Sequence, residues 1–264
     1  MDDMTNQPDK NSRPPRSLTV SLKKSGGRNN DGKMTVRTRG GGKRKLYRKV
    51  NFGQEKMGVK GVVKRIDYDP NRTAYLALVE YEDEELGYIL APQKIEAGDE
   101  VITDEDVKVK PGNRMPLKNM PVGTEVHNIS FNKNGEGKMV RAAGASATVL
   151  AQEGKYTHLR MPSKEVRKVN REGFATIGEL SNPEHRYKDK GKAGANRNKG
   201  RRPTVRGKAK NAVDHPHGGG EGGSTIGLKH PKTPTGKPAK GVKTRKRKHT
   251  DKYIIKRRKK KKKK

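Results

Sequence analysis

The chain is 264 residues long, with 63 Lys and Arg against 29 Asp and Glu, a formal net charge of +34, and neither Cys nor Trp. Only 28% of it is hydrophobic and 4% aromatic. These values exclude disulfides, thiolate metal sites and a single core spanning the whole length, and a charge of this size calls for a polyanionic partner. No apolar run approaches membrane-spanning length, and no basic helix with an apolar face is evident, so nucleic acid fits better than a lipid surface. The N-terminal Met1-Asp2-Asp3-Met4 lacks the apolar stretch of a secretory signal, and a cytoplasmic location is expected.

Residues 1–58 read as a basic extension. Within them, Arg37 to Lys49 holds seven basic residues in thirteen, with three glycines and a tyrosine. Arg37, Arg39, Lys43, Arg44 and Arg48 suit phosphate contacts, and Tyr47 suits base stacking. A merely solvated basic linker is the bland alternative. A nucleotide-cradling P-loop is disfavoured, because Gly-x-x-x-x-Gly-Lys-Ser/Thr spacing is absent.

The charge then reverses. Residues 57–105 carry 5 basic and 12 acidic side chains, and here the strand signals begin. Val59 to Tyr68 predicts a strand ending at the turn Asp69-Pro70-Asn71. Thr73 to Tyr81 predicts a second, Glu82 to Glu85 an acidic turn, and Gly87 to Pro92 a return strand. Beyond Pro121, short segments follow at Glu125–Phe131, Ala147–Gln152, Tyr156–Met161, Glu165–Val169 and Ala175–Ile177. Turns at Asn134-Gly135, Glu153-Gly154 and Pro162-Ser163 separate them. Many short strands at such spacing point to a mainly β protein of small barrels. Two modules are expected, at 59–120 and 121–194.

Residues 195–264 form a second extension. From 191 onward there are 27 basic and 3 acidic residues, 12 Gly, 5 Pro and only eight large apolar side chains. Burial at about 25 cal/mol per Å² from so few groups cannot offset an ordering cost of ~1–2 kcal/mol per residue, so this arm is expected to order on RNA. Arg197, Arg201, Arg202, Arg206 and Lys208 are candidate phosphate contacts, as are Lys229, Arg245, Arg247 and Arg257. The run Lys259 to Lys264 supports no specific contact. Between them lies Asp214-His215-Pro216-His217-Gly218-Gly219-Gly220-Glu221. His-x-His beside acids could begin a metal site, but fixed third and fourth ligands are lacking. A histidine could act as a general base, yet no nucleophile accompanies it. The third reading is a tight loop in which His215 and His217 touch RNA.

Asn211-Ala212-Val213-Asp214-His215-Pro216-His217-Gly218-Gly219-Gly220-Glu221-Gly222 resembles the signature of the universal large-subunit ribosomal protein L-two family, in its bacterial form. Further matches follow in order across roughly 18–258. They are Arg37 to Arg48, Tyr68-Asp69-Pro70-Asn71-Arg72, Tyr88 to Pro92, Gly112 to Leu117, Gly144 to Ala147, Arg202 to Gly207 and Thr250 to Tyr253. The resemblance implies an oligonucleotide-binding (OB) barrel, then an SH3-like barrel, with irregular basic N- and C-terminal extensions embedded in large-subunit ribosomal RNA. It implies a place near the peptidyl-transferase centre, support of subunit association and tRNA binding, and no catalysis by the protein. His215 matches the family's much-considered histidine, and the resemblance makes it an RNA-organising residue. Expected partners are large-subunit ribosomal RNA, neighbouring ribosomal proteins and the small subunit, with no membrane and no homo-oligomer. No cofactor is expected beyond Mg2+ held by the RNA. Departures from the family pattern are Ala212 for Pro, Gly223 for Arg, and Asn198 and Thr235 for tryptophans. The competing classes are a general nucleic-acid or chromatin-like binder and a metal-dependent enzyme built on His215 and His217.

Overall fold

The computed structural model describes Pro8 and residues 12–133, 135–189, 191–243 and 245–258. Asn134, of the expected Asn134-Gly135 turn, and the Lys259 to Lys264 run lie outside the described residues. In chain order the strands are β1 (Thr19–Ser21), β2 (Leu46–Arg48), β3 (Lys60–Asp67), β4 (Leu76–Tyr81), β5 (Leu86–Leu90), β6 (Glu100–Ile102) and β7 (Arg114–Pro116). They continue with β8 (Glu125–His127), β9 (Ala147–Glu153), β10 (Tyr156–Arg160), β11 (Val166–Asn170), β12 (Phe174–Ile177) and β13 (Ile254–Lys256). The one α-helix among the described residues, α1, is Ala193–Asn198. No helix among them is long and apolar enough to cross a membrane.

The chain forms two compact units. The first comprises residues 1–22, 45–189 and 250–264; the second comprises 23–44 and 190–249. All the named strands belong to the first unit, so the fold is mainly β with two antiparallel regions.

The four-stranded sheet runs in the order β5-β4-β3-β6. Residues of β4 are buried on both faces, which is why its sequence is a continuous apolar run instead of an alternation. Ala77 and Val79 pack with Val63, Ile89 and Val101 on one face. Leu76 and Leu78 pack with Tyr88, Leu90 and Leu180 on the other. Each fully buried leucine of this kind stabilises the fold by about 1.5–3 kcal/mol. A bulge between Val63 and Arg65 shifts the register of β3, so that both Ile66 and Asp67 turn inward after the Gly61/Val63 alternation.

The larger sheet has the order β13-β11-β10-β9-β8-β12-β7. Its core holds Met115, Leu117, Val126, Ile129, Val149, Leu159 and Ile177. Strand β7 lies in the 59–120 segment but pairs with β12, Phe174 facing Pro116 and Thr176 facing Arg114. Far along the chain, β13 adds an edge to β11.

Two buried carboxylates anchor the first barrel. Asp67 accepts hydrogen bonds from Arg65 (Nε, 2.9 Å), from Ser12 (Oγ, 2.8 Å) and from the Tyr88 hydroxyl. Burial, reinforced by the neighbouring Asp67 carboxylate, pushes the Tyr88 hydroxyl well above the usual phenol range. Asp69, fully buried, accepts from Arg72 (Nε, 2.6 Å) and from the Asn71 backbone N–H (2.8 Å), which closes the predicted Asp69-Pro70-Asn71 turn.

Candidate nucleic-acid interface

The second unit brings together two basic segments far apart in sequence. Arg39 and Arg201 form an antiparallel bridge. Gly40 N–H donates to Gly200 C=O (3.1 Å), Arg202 N–H to Thr38 C=O (3.1 Å) and Lys43 N–H to Asn198 C=O (3.0 Å). The approach is close. Gly42 has φ +82°, and a Cβ there would lie 2.6 Å from the Gly200 nitrogen, so a larger residue would force the segments apart. Short helix α1 ends at Asn198 and delivers the chain into this pairing. Arg37, Arg39, Lys43 and Arg44 from one segment are exposed, as are Arg197, Arg201, Arg202 and Arg206 from the other. None of these eight has a carboxylate within 4.0 Å among the described residues. The ladder is therefore backbone-made and leaves the guanidinium groups outward, as phosphate binding requires. Lys24 Nζ adds a clasp, donating to the carbonyls of Gly42 (2.8 Å) and Lys43 (3.0 Å).

The His-x-His loop lies in the same unit and is organised around a buried imidazole. His215 is only 8% exposed, although the loop around it is polar. Its Nδ1 accepts the His217 backbone N–H (3.1 Å), which places the remaining ring proton on Nε2. His217 in turn accepts the Lys232 backbone N–H at Nε2 (2.8 Å). The two rings sit 4.8 Å apart, tilted by 57°. Burial, with the positive surroundings of His217, Lys210 and Arg37, holds the His215 pKa below its ordinary value and favours the neutral ring. Gly207 makes room for it: a Cβ there would lie 2.6 Å from Nδ1 and 2.7 Å from Nε2. The loop closes on itself through Gly218 N–H to His215 C=O (2.8 Å) and Gly219 N–H to Lys210 C=O (3.0 Å), while half-buried Lys208 reaches the Gly223 carbonyl (3.4 Å).

This geometry disfavours the metal reading. One lone pair of each imidazole is occupied by a backbone N–H, and no cluster of three ligating side chains occurs among the described residues. The arrangement is a loop closed by backbone hydrogen bonds, with both imidazoles accepting a backbone N–H and with exposed neighbours, Val213 being 92% exposed. Further along, Lys229, Arg245 and Arg247 are exposed.

In the first unit, Tyr47 and Arg48 occupy β2, paired to β1. Both are half-buried. Arg48 faces Asp69 at 4.0 Å, and Arg72 covers the Tyr47 ring at 5.5 Å. Arg257, just past β13, is exposed and pairs with Asp251 (2.9 Å).

The sequence reading missed a stack beside this pair. Arg72 also lies over Phe52 (5.2 Å), and Arg141 lies over the same ring at 4.4 Å. Arg72 had a signal, its spacing of three from the turn residue Asp69. Exposed Arg141, reached only through tertiary packing, had none.

Comparison with known proteins decides the family. Residues 15–103 match the family model "Ribosomal Proteins L2, RNA binding N-terminal domain", and residues 110–236 match "Ribosomal Proteins L2, C-terminal domain". This chain belongs to the ribosomal protein L2 family. The large ribosomal subunit protein uL2 of Paracoccus denitrificans is 53% identical over 251 residues, covering 95% of this chain and 90% of the relative. That of Phenylobacterium zucineum is 52% identical over 243 residues, covering 92% and 87%. The L2 family models part between residues 103 and 110, ahead of β7, which agrees with the pairing of β7 to β12. The two antiparallel regions are the OB-like and SH3-like barrels of this L2 chain.

Proposed function

We propose that this L2 family chain is a structural constituent of the large ribosomal subunit that binds and organises ribosomal RNA and performs no catalysis of its own. The observation that carries this reading is the backbone-paired ladder of 38–43 with 198–202, whose cations have no carboxylate within 4.0 Å among the described residues. Phosphates supply that charge, and the release of their counterions drives binding. In this reading the chain divides into a basic extension at 1–58, barrels at 59–120 and 121–194, with β7 of the first segment joining the second barrel's sheet, and a second extension at 195–264. The two barrels give the extensions fixed points of departure. Arg37, Arg39, Lys43, Arg44, Arg197, Arg201, Arg202, Arg206, Lys208, Lys229, Arg245 and Arg247 contact the RNA backbone. Arg48, Arg257 and the ring of Tyr47 contribute from the barrel side, together with Arg141.

The neutral His215 ring, with its Nε2–H free to donate, organises RNA at the tip of its loop alongside His217. The site lies near the peptidyl-transferase centre and supports subunit association and tRNA binding, with neighbouring ribosomal proteins and the small subunit as further partners. Any Mg2+ nearby is held by the RNA.

Ultraviolet crosslinking in cells, followed by sequencing of the attached RNA, tests the reading. The expected result is crosslinks concentrated in large-subunit ribosomal RNA, carried by peptides from 37–44 and 197–208. Crosslinks spread over many messenger RNAs would instead mark a general RNA binder.

A further inference from the structure

The first unit contains a groove of about 380 Å³, within the range of small-molecule sites. Its apolar lining is Val140, Ala142, Ala145, Met161 and Pro162. Val140 and Met161 also pack on the core of the second barrel, so these parts of the groove are anchored from beneath. The walls are tight turns closed by backbone hydrogen bonds. Ala145 N–H donates to Ala142 C=O (3.2 Å), Met161 N–H to Glu165 C=O (2.9 Å) and Lys164 N–H to Met161 C=O (2.8 Å). Val140 is held at φ +55°, a costly conformation for a β-branched residue.

Charged groups line the remainder. Arg141 is exposed and stacked on Phe52, while Arg167 is held 3.7 Å from Glu165. An apolar slot bordered by guanidinium groups matches a nucleotide, whose base is flat and apolar on its faces and whose phosphate is anionic. Base edges carry the donors and acceptors that a neighbouring Glu–Arg pair can meet.

We propose that this groove receives one unpaired nucleobase of the bound RNA, with its face on Met161 and Pro162, its edge toward Glu165 and Arg167, and its phosphate at Arg141. The proposal rests on the RNA-binding reading above and adds to it a base contact on the second barrel, beside the phosphate contacts of the extension cations.

The test uses the full chain and full-length large-subunit ribosomal RNA transcribed in vitro. Ala142→Leu fills the groove from an exposed position without altering charge. It is expected to weaken binding about tenfold, with an unchanged salt slope, because a stacked base is displaced while the phosphates stay neutralised. Lys155→Ala, an exposed cation outside the groove, is expected to leave the base in place. Unmodified ribosomal particles are irradiated in parallel, and a nucleotide adduct is expected on the peptide spanning 161–167. Wild-type affinity in Ala142→Leu overturns the proposal, as does attachment of that peptide to another protein. Failure of the unaltered chain to bind the transcript overturns the RNA-binding reading itself and the groove with it.

Discussion

The same side chain is used in two opposite ways by the barrels and the extensions. In the OB-like barrel, Arg65 and Arg72 turn inward toward Asp67 and Asp69, and their charge is neutralised within the protein. In the paired segments 38–43 and 198–202, Arg39, Arg201 and Arg202 are exposed, with no carboxylate within 4.0 Å among the described residues. The lesson is that the acidic composition of 57–105 is partly internal. Two of its carboxylates stitch the barrel to its own arginines, so the barrel holds its shape without RNA while the extensions complete their electrostatics on a polyanion. The SH3-like barrel adds a contrary case in Arg114, fully buried with no carboxylate within 4.0 Å among the described residues. Its Nη1 donates to the Asn128 carbonyl (2.8 Å) and Thr176 Oγ1 (3.2 Å), and burial lowers its pKa to about 9.

Breaking an internal pair should cost most. Asp69→Asn leaves Arg72 and Arg48 half-buried without a counter-charge and should destabilise the protein by roughly 3–5 kcal/mol. Urea unfolding in the absence of RNA measures this; a loss below about 1 kcal/mol would show that the barrel does not depend on the pair.

A pH effect of the next size should come from His127. It is buried, donates from Nδ1 to the Gly178 carbonyl (2.8 Å), and has its pKa lowered by burial to about 4. The unfolded chain takes up this proton near pH 6.5 and the folded barrel only near 4. Stability should therefore be complete above pH 6.5 and fall as pH drops toward 4, at about 1.4 kcal/mol per unit across most of the window. Thermal melts between pH 7 and 5 should show the decline, and His127→Gln should flatten it.

Arg114 sharpens the comparison from the other side. Replacing a buried charge with an apolar side chain of similar volume is often stabilising. Arg114→Met should therefore raise stability by on the order of 1–3 kcal/mol, read as a higher denaturant midpoint with an unchanged slope.

The smallest effect on the fold should come from the extensions. Joint replacement of Arg202 and Arg206 by Ala should change stability by less than about 0.5 kcal/mol. It should nevertheless lower the dependence of log affinity on log salt by roughly 0.7–0.9 for each phosphate that is no longer neutralised. An intact slope would remove these two side chains from the interface.

The strands legible in the sequence were those with enough residues to show a pattern. β3, β4 and β5 announced themselves through apolar runs and the Asp69-Pro70-Asn71 turn, and β9 to β12 through alternation between turns. Of the three-residue strands only β8 was signalled, within Glu125–Phe131; the others carried no such signal. β2 is embedded in the basic cluster Arg37 to Lys49, where charge hides the apolar Leu46, and β7 and β13 exist through partners about 60 and 90 residues away. At the site, the basic segments and the histidine loop were visible as composition and motif. Their mutual pairing was not, because backbone hydrogen bonds between Thr38 and Arg202 leave no trace in side-chain type. Arg141 over Phe52 escaped because only tertiary packing brings the two together.

That pairing has a consequence for how the chain is made. Lys43 and Asn198 are joined by a hydrogen bond yet stand about 155 residues apart. At synthesis rates of ~5–20 residues per second, the first half of the second unit waits some 8–30 s for the other half to be translated. During that interval the β3–β5 hairpins have time to form, whereas Lys23 to Arg44 is a nascent polycation without its complement. The second unit is the more positively charged of the two and is not complete until residue 249 has been made, so its paired basic segments can meet RNA together only late in synthesis.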